Sequence, residues 1–366
     1  MGSPQPSGCN LGVTATSSNS GSIVAAVWSA RLRCEQTTRL SRENYVSQPT
    51  PLSVAALSHM VGLRSDGPAQ PVQWTEVASP DPTVAVFSGV VTVGRASGQD
   101  KELPDAALAA SNNPGLAQIP CLLLCPKGEG PRRAVVAIHQ HNDEHHLGKS
   151  EPAGLAGNPN VAYGLELAKQ GFLVAVPDLL GFEDRGSAHG RTGRELELFY
   201  AMNAIANGHS LHGEHVSDVL AVANYLENHE QIVGNVAVTG HSLGAQIGLL
   251  VLALAPNITV GVISAGLTSM AACKRADVLH NAGWYLPGLE AAGDYGAIAA
   301  MITGKKALSI AATDDEHFPA DGARQVIDAF NPDVLESHWR SSTHEMDKWT
   351  LDLMTSWMVA NHSGAL

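Results

Sequence analysis

From residue 132 onward the chain keeps returning to one pattern, a short apolar run followed by a longer segment with helical spacing. The runs are RRAVVAIH (132–139), FLVAVPD (172–178), NVAVTG (235–240), ITVGVISA (258–265) and KALSIAA (306–312). Each has a short apolar centre without polar alternation, which describes a strand covered on both faces. VAYGLELAKQG ends at Gly171, in the position favoured after a helix C-terminus. EHVSDVLAVANYLENHE places Val216, Val219, Leu220, Ala223 and Leu226 on one helical face, and the apolar AQIGLLVLALA is closed by Pro256. The chain ends in the helix-like MDKWTLDLMTSWMVA. This order predicts an α/β fold with a mostly parallel central sheet and helices on both faces. VQWTEVA, TVAVFSGVVTVGR and IPCLLLCPKG are β-like runs ahead of it, and LSVAALSHMVGLR (52–64) reads as a short helix.

With 366 residues, 44% of them hydrophobic and 16% charged, the chain suits one large domain plus an extension. Residues 1–68 read as that extension, with 1–48, rich in Ser, Thr, Gly and Asn, as an irregular arm. Residues 69–366 form the main domain. The segment 179–213 is longer than an ordinary strand-to-helix connection and reads as a cap-like insertion over the C-terminal edge of the sheet. A formal charge of −13 and the lack of a basic stripe exclude a nucleic-acid surface. No segment is long and apolar enough to cross a membrane. SIVAAVWSA (22–30) is followed, not preceded, by Arg31, the wrong order for a signal peptide, so a cytoplasmic location is the default expectation. Five cysteines form an odd set, and Cys121 and Cys125 on one strand read as free thiols. Oligomeric state is left open, a homo-oligomer included.

The strongest chemical signal is VAVTGHSLGAQIGLL (236–250), in which Gly240-His241-Ser242-Leu243-Gly244 is a G-x-S-x-G pentapeptide between a strand and an apolar helix. A serine at such a turn takes a strained, positive-φ backbone, and Gly240 and Gly244 are needed where a Cβ would collide with neighbouring elements. The turn lifts the Ser242 hydroxyl above the sheet, with a helix N-terminus beneath it. A serine hydroxyl needs a base, and the base an orienting acid. TDDEHFPADGARQV follows the strand KALSIAA and offers Asp315, with Asp314 as runner-up. SSTHEMDKW, ahead of the final helix, supplies His344 as base, with His338 as the alternative.

These stations, together with IPCLLLCPKGEGPRRAVVAIHQHN, HLGKSEPAGL, YGLELAKQGFLVAVPDLLGFEDR, GHSLGA and DEHFP, resemble the dienelactone hydrolase-like and acetyl xylan esterase-like branch of the α/β-hydrolases. The resemblance covers roughly two-thirds of the chain, from about residue 115. It implies an oxyanion hole from the Leu243 amide and a second amide at His141, with Gln140 as the fallback. It also implies that Asp178, Glu183, Asp184 and Arg185 serve the structure, tying their loop to the sheet. Dienelactone hydrolases proper carry a cysteine nucleophile; Ser242 here favours ordinary ester cleavage. The branch's His-Gly after the third core strand is His139-Gln140 in this chain. Trp284 and Tyr285 are candidates to line the acyl or alcohol pocket, with core packing an equal reading.

HQHNDEHH (139–146) invites a metal reading, but Glu144 separates Asp143 from His145, where metallo-β-lactamase-like runs need Asp directly followed by His. Polar packing of the oxyanion loop is the preferred account, with no metal and no cofactor. The expected function is a serine carboxylic-ester hydrolase acting through an acyl-enzyme on small to medium esters. The alternatives are a metal-dependent hydrolase using the His139–His146 cluster, a lactone or thioester hydrolase with the same three residues, and a silent binding protein.

Overall fold

The computed structural model describes residues 51–64, 66–95 and 115–362, so the arm expected over 1–48 lies outside the described residues. The described residues belong to one unit that begins at Pro51. Helix α1 (Val54–Val61) is shorter than the helix expected over 52–64, for reasons at both ends. The Ser53 side chain accepts the Ala56 N–H as an N-cap, and Gly62 closes the helix in the left-handed conformation at φ 73°. Leu57 and Val61 are fully buried in the main core, so the residues just before position 69 pack with the domain.

Strands β1 (Asp66–Ala69), β2 (Thr75–Val77), β3 (Val84–Arg95) and β4 (Leu116–Pro126) form an antiparallel flank in which β1, β2 and β4 all pair with β3. Next come β5 (Arg132–Ile138), α2 (Tyr163–Lys169), β6 (Leu173–Pro177), and the small antiparallel pair β7 (Ser187–Ala188) and β8 (Arg191–Thr192). Helices α3 (Gly193–Ala206) and α4 (Leu211–Glu227) lead into β9 (Ile232–His241), α5 (Leu243–Leu254) and β10 (Val260–Ser264). The chain closes with α6 (Met270–Arg275), α7 (Asp294–Met301), β11 (Lys306–Ala312), α8 (Ala320–Ala329), β12 (Leu335–Arg340) and α9 (Lys348–Asn361).

The main sheet runs β1-β3-β4-β6-β5-β9-β10-β11-β12, with β2 beside β3. Every pairing from β6 to β12 is parallel, and β4 joins β6 antiparallel. The alternation of side chains explains the apolar runs. In β5, Ala134, Val136 and Ile138 enter the core under α1, α4, α5 and α7, while Val135 and Ala137 enter the second core under α2 and α9. β6 and β9 divide in the same way, Leu173 and Ala175 against Val174 and Val176, and Val236 and Val238 against Ala237. Both sheet faces are covered, so polar positions have nowhere to point.

One helix start and the content of one segment differ from expectation. The helix read as starting near 215 starts at Leu211, because Ser210 caps it by accepting the Gly213 N–H at 2.9 Å. The segment 179–213 also contains a full helix, α3, whose buried face is Leu196, Glu197, Tyr200, Ala201 and Ala204. No helix among the described residues is long and apolar enough to cross a membrane.

Candidate active site

The turn between β9 and α5 is one residue long, and that residue is Ser242, at φ 55° and ψ −119°. Such a backbone is strained for any residue with a Cβ, and the neighbours hold it in place. The Ser242 N–H donates to the Ser264 carbonyl at 2.9 Å, and the Ser242 carbonyl accepts from the Ala245 and Gln246 amides. A Cβ at Gly240 would lie 2.3 Å from the Gly244 carbonyl carbon, and one at Gly244 would lie 2.0 Å from the Ile138 carbonyl oxygen. Helix α5 therefore packs backbone to backbone against the end of β5, and Leu243 opens the helix directly after the serine.

Asp315 follows β11 and His344 lies between β12 and α9. His344 Nε2 accepts the Ser242 hydroxyl at 3.0 Å, and its Nδ1–H donates to Asp315 Oδ2 at 2.9 Å. The other oxygen of Asp315 accepts the amides of His317 at 2.9 Å and Phe318 at 2.8 Å, which locks the carboxylate in one orientation. Ser242, Asp315 and His344 are all buried. The rings of Phe318, His241 and His317 lie 5.3, 5.1 and 5.0 Å from that of His344. His241 bonds to the Ser264 hydroxyl at 3.0 Å; burial, reinforced by the charges of His344 and Arg340, holds it well below the ordinary imidazole range. Asp314 is exposed and takes the Thr313 hydroxyl, and His338 sits within β12 against Glu336 at 2.7 Å.

The run 139–146 does not act as a unit. His139 is fully buried: its Nδ1–H donates to the Gln140 carbonyl at 2.7 Å, its Nε2 accepts the Leu179 N–H at 3.1 Å, and burial pushes it down to about 3. The Gln140 side chain donates to Glu151 at 3.0 Å. The His141 backbone lies in the loop leaving β5, and its ring donates from Nε2 to Glu197 Oε1 of α3 at 3.3 Å. Asp143 binds Arg194 of the same helix, and His146 is exposed. A ligand atom each from His141, His145 and Glu197 lies within 4.8 Å of the others. Glu197 carries no motif, but its place beside Leu196 and three residues before Tyr200 puts it on the buried face of α3, a periodicity readable in RELELFYAMNAIA.

The loop after β6 is held by ion pairs, but Asp178, Glu183, Asp184 and Arg185 do not pair with one another; their partners are residues that the pattern did not point to. Lys149 Nζ lies 2.7 Å from Glu183, 2.8 Å from Asp184 and 3.5 Å from Asp178, whereas Arg185 pairs with Asp218 at 2.6 Å. Burial pushes Asp178 up to about 7 despite Lys149. Trp284 is fully buried, its ring centred 5.3 Å from Tyr295 and 4.0 Å from His280, and Tyr285 is half-buried. His280 in turn lies 4.8 Å from Phe318. A cleft of about 530 Å³ lined by Asn235, Thr259, Lys305 and His362 opens at the N-terminal edge of the parallel strands, away from Ser242.

A parallel sheet with a strained serine between strand and helix, an acid after the next-but-one strand and a histidine near the chain's end is an α/β-hydrolase fold. Compared with solved structures, the chain is similar to acetyl xylan esterase 1 from a Thermoanaerobacterium species (18% identity, TM-score 0.58, covering 87% of this chain and 96% of that one). It is also similar to an acetyl xylan esterase from a Paenibacillus species (16%, 0.55, 84% and 92%) and to a cold-adapted esterase from an Arctic intertidal metagenomic library (14%, 0.51, 79% and 99%). No protein-family model and no curated protein matches the sequence.

Proposed function

We propose that the chain is a serine carboxylic-ester hydrolase that works through an acyl-enzyme on small to medium esters. The observation that carries this reading is the unbroken relay from Ser242 Oγ through His344 to Asp315, at 3.0 and 2.9 Å. His344 takes the hydroxyl proton as Ser242 Oγ attacks the ester carbonyl, and Asp315 holds the ring tautomer and stabilises the imidazolium. The amides of Leu243 and His141, with Gln140 as the alternative second donor, receive the oxyanion; one such donor is worth about 3 kcal/mol in the transition state. His344 returns the proton to the departing alcohol. It then takes a proton from water as the water oxygen attacks the acyl carbon, and passes that proton to Ser242 Oγ as the acid departs.

In this reading the hydrolase domain, expected over 69–366, also takes in α1 and the whole of β1, and 179–213 is its cap, with α3 touching the oxyanion loop through Glu197 and Arg194. The similar acetyl xylan esterases make acetyl esters the first substrates to try. A panel of chromogenic esters with increasing acyl length, run with a fluorophosphonate probe on wild type and Ser242→Ala, tests the proposal. Hydrolysis and labelling that both vanish in Ser242→Ala support it; wild-type turnover in the variant refutes it. Turnover insensitive to a strong chelator separates the serine reading from a metal-dependent one.

A further inference from the structure

Two donors from the loop after β5 and one from α3 converge beside the oxyanion loop, and the state of each nitrogen can be worked out. His145 donates its Nδ1–H to the Gly181 carbonyl at 3.2 Å, which leaves the lone pair of the neutral ring on Nε2. That Nε2 is shielded from solvent and has no hydrogen-bond partner among the described residues. The ring stacks on Phe182 with centroids 4.9 Å apart, so its direction is set. A shielded imidazole nitrogen left without a partner is unfavourable, and a ligand would relieve that. A backbone carbonyl holding the opposite N–H is also how metal-binding histidines are oriented.

The spacing fits a small transition-metal ion. Metal–nitrogen and metal–oxygen bonds of about 2.0–2.1 Å in a tetrahedron put neighbouring donors about 3.3 Å apart. His141 Nε2 and Glu197 Oε1 already stand 3.3 Å apart. The full set lies within 4.8 Å, so a bound ion draws it in by at most about 1.5 Å. We propose that His141 Nε2, His145 Nε2 and a carboxylate oxygen of Glu197 form a three-ligand site for Zn²⁺ or a similar divalent transition metal, completed by water. Two imidazoles and one carboxylate suit zinc, whereas Mg²⁺ and Ca²⁺ prefer oxygen ligands throughout.

The proton balance closes within the loop. In the metal-free protein His141 Nδ1 accepts the Asp143 N–H at 3.0 Å, so the ring proton sits on Nε2 and is shared with Glu197. When the metal takes Nε2, that proton moves to Nδ1, and the Asp143 carboxylate, 3.7 Å away, becomes its acceptor in place of the amide contact. The ion cross-links the loop to α3 beside the existing Asp143–Arg194 pair and takes no part in acyl transfer. The site therefore stands independently of the Ser242 reading.

The test uses the full chain, stripped with a chelator, dialysed and titrated with ZnCl₂ by calorimetry, with CoCl₂ visible spectra in parallel. One equivalent bound per chain, a low-symmetry cobalt band and a zinc-dependent rise in melting temperature are expected. His145→Ala and Glu197→Gln should each weaken zinc binding at least about tenfold. Ser242→Ala should bind zinc as wild type does, whatever its esterase activity. No uptake by wild type, or equal affinity in wild type, His145→Ala and Glu197→Gln, overturns the site; the wild-type stoichiometry and cobalt spectrum decide even if a variant fails to fold.

Discussion

His344 Nε2 lies 3.0 Å from Ser242 Oγ across 102 residues of chain. Two elements set this distance independently: the strained turn after β9 and the loop between β12 and α9. In the proposed mechanism the two residues act as one unit. Ser242→Ala and His344→Ala should each lower kcat by about 10⁴-fold or more, and the double variant should fall no further than the singles. Steady-state kinetics on an acetyl ester measures this, and additive losses would break the unit.

Asp315→Asn keeps the shape of the carboxylate but offers His344 the wrong hydrogen-bonding partner. A loss on the order of 10⁴ in kcat is expected, with thermal stability near wild type. Asp314→Asn should leave turnover within about twofold of wild type, because Asp314 is exposed and bonded to Thr313. If the two variants behave in reverse, the acid has been misassigned.

The packing of α5 on β5 can be tested with two glycines of one helix. Gly244→Ala drives a methyl to 2.0 Å from the Ile138 carbonyl oxygen and should cost about 3 kcal/mol or more. Gly248→Ala places its methyl 4.0 Å from Val238 Cγ2, ordinary contact, and should be neutral or stabilising by up to about 1 kcal/mol. Urea unfolding of both variants reads the difference.

Stability should fall in acid, and the buried histidines set the window. Burial holds His139 and His212 down to about 3 and His215 down to about 4. A group whose folded pKa is depressed contributes stability that is present above its unfolded value, about 6.5, and is lost as pH falls through the folded value. Between those limits the unfolded chain holds the extra proton, so each ring removes about 1.4 kcal/mol per pH unit. Denaturant midpoints at pH 7 and pH 5 should differ sharply, with pH 5 lower. A flat profile would mean the rings are reached by water.

Lys149 faces three carboxylates, and Asp178 among them is fully buried. Lys149→Met should cost about 1–3 kcal/mol, because Glu183 loses its cation and Asp178, already raised to about 7, must take up a proton. Lys149→Met with Asp178→Asn should recover part of that loss. Equal losses in the single and double variants would show that Asp178 is not the group left stranded.

Much of this arrangement was legible in the chain because it rests on local rules. The parallel strands announced themselves as apolar runs, since both sheet faces are covered and alternation disappears. The elbow was readable because only glycine fits where α5 crosses the end of β5, and the order of Ser242, Asp315 and His344 follows the order of their strands. Tertiary structure alone decided the rest. Asp315 and Asp314 are adjacent in sequence, and only the turn that delivers the His317 and Phe318 amides to Asp315 separates the buried carboxylate from the exposed one. Lys149 and Glu197 carry no motif; their partners come from distant loops, and pairing between side chains on different elements leaves no periodicity to read. The histidine run looked like one cluster because its residues are adjacent, but the loop turns His139 into the core, His146 to solvent, and His141 and His145 toward a glutamate on another helix. Sequence proximity says nothing about where ring nitrogens aim, since that direction comes from the backbone path and from what each ring packs against.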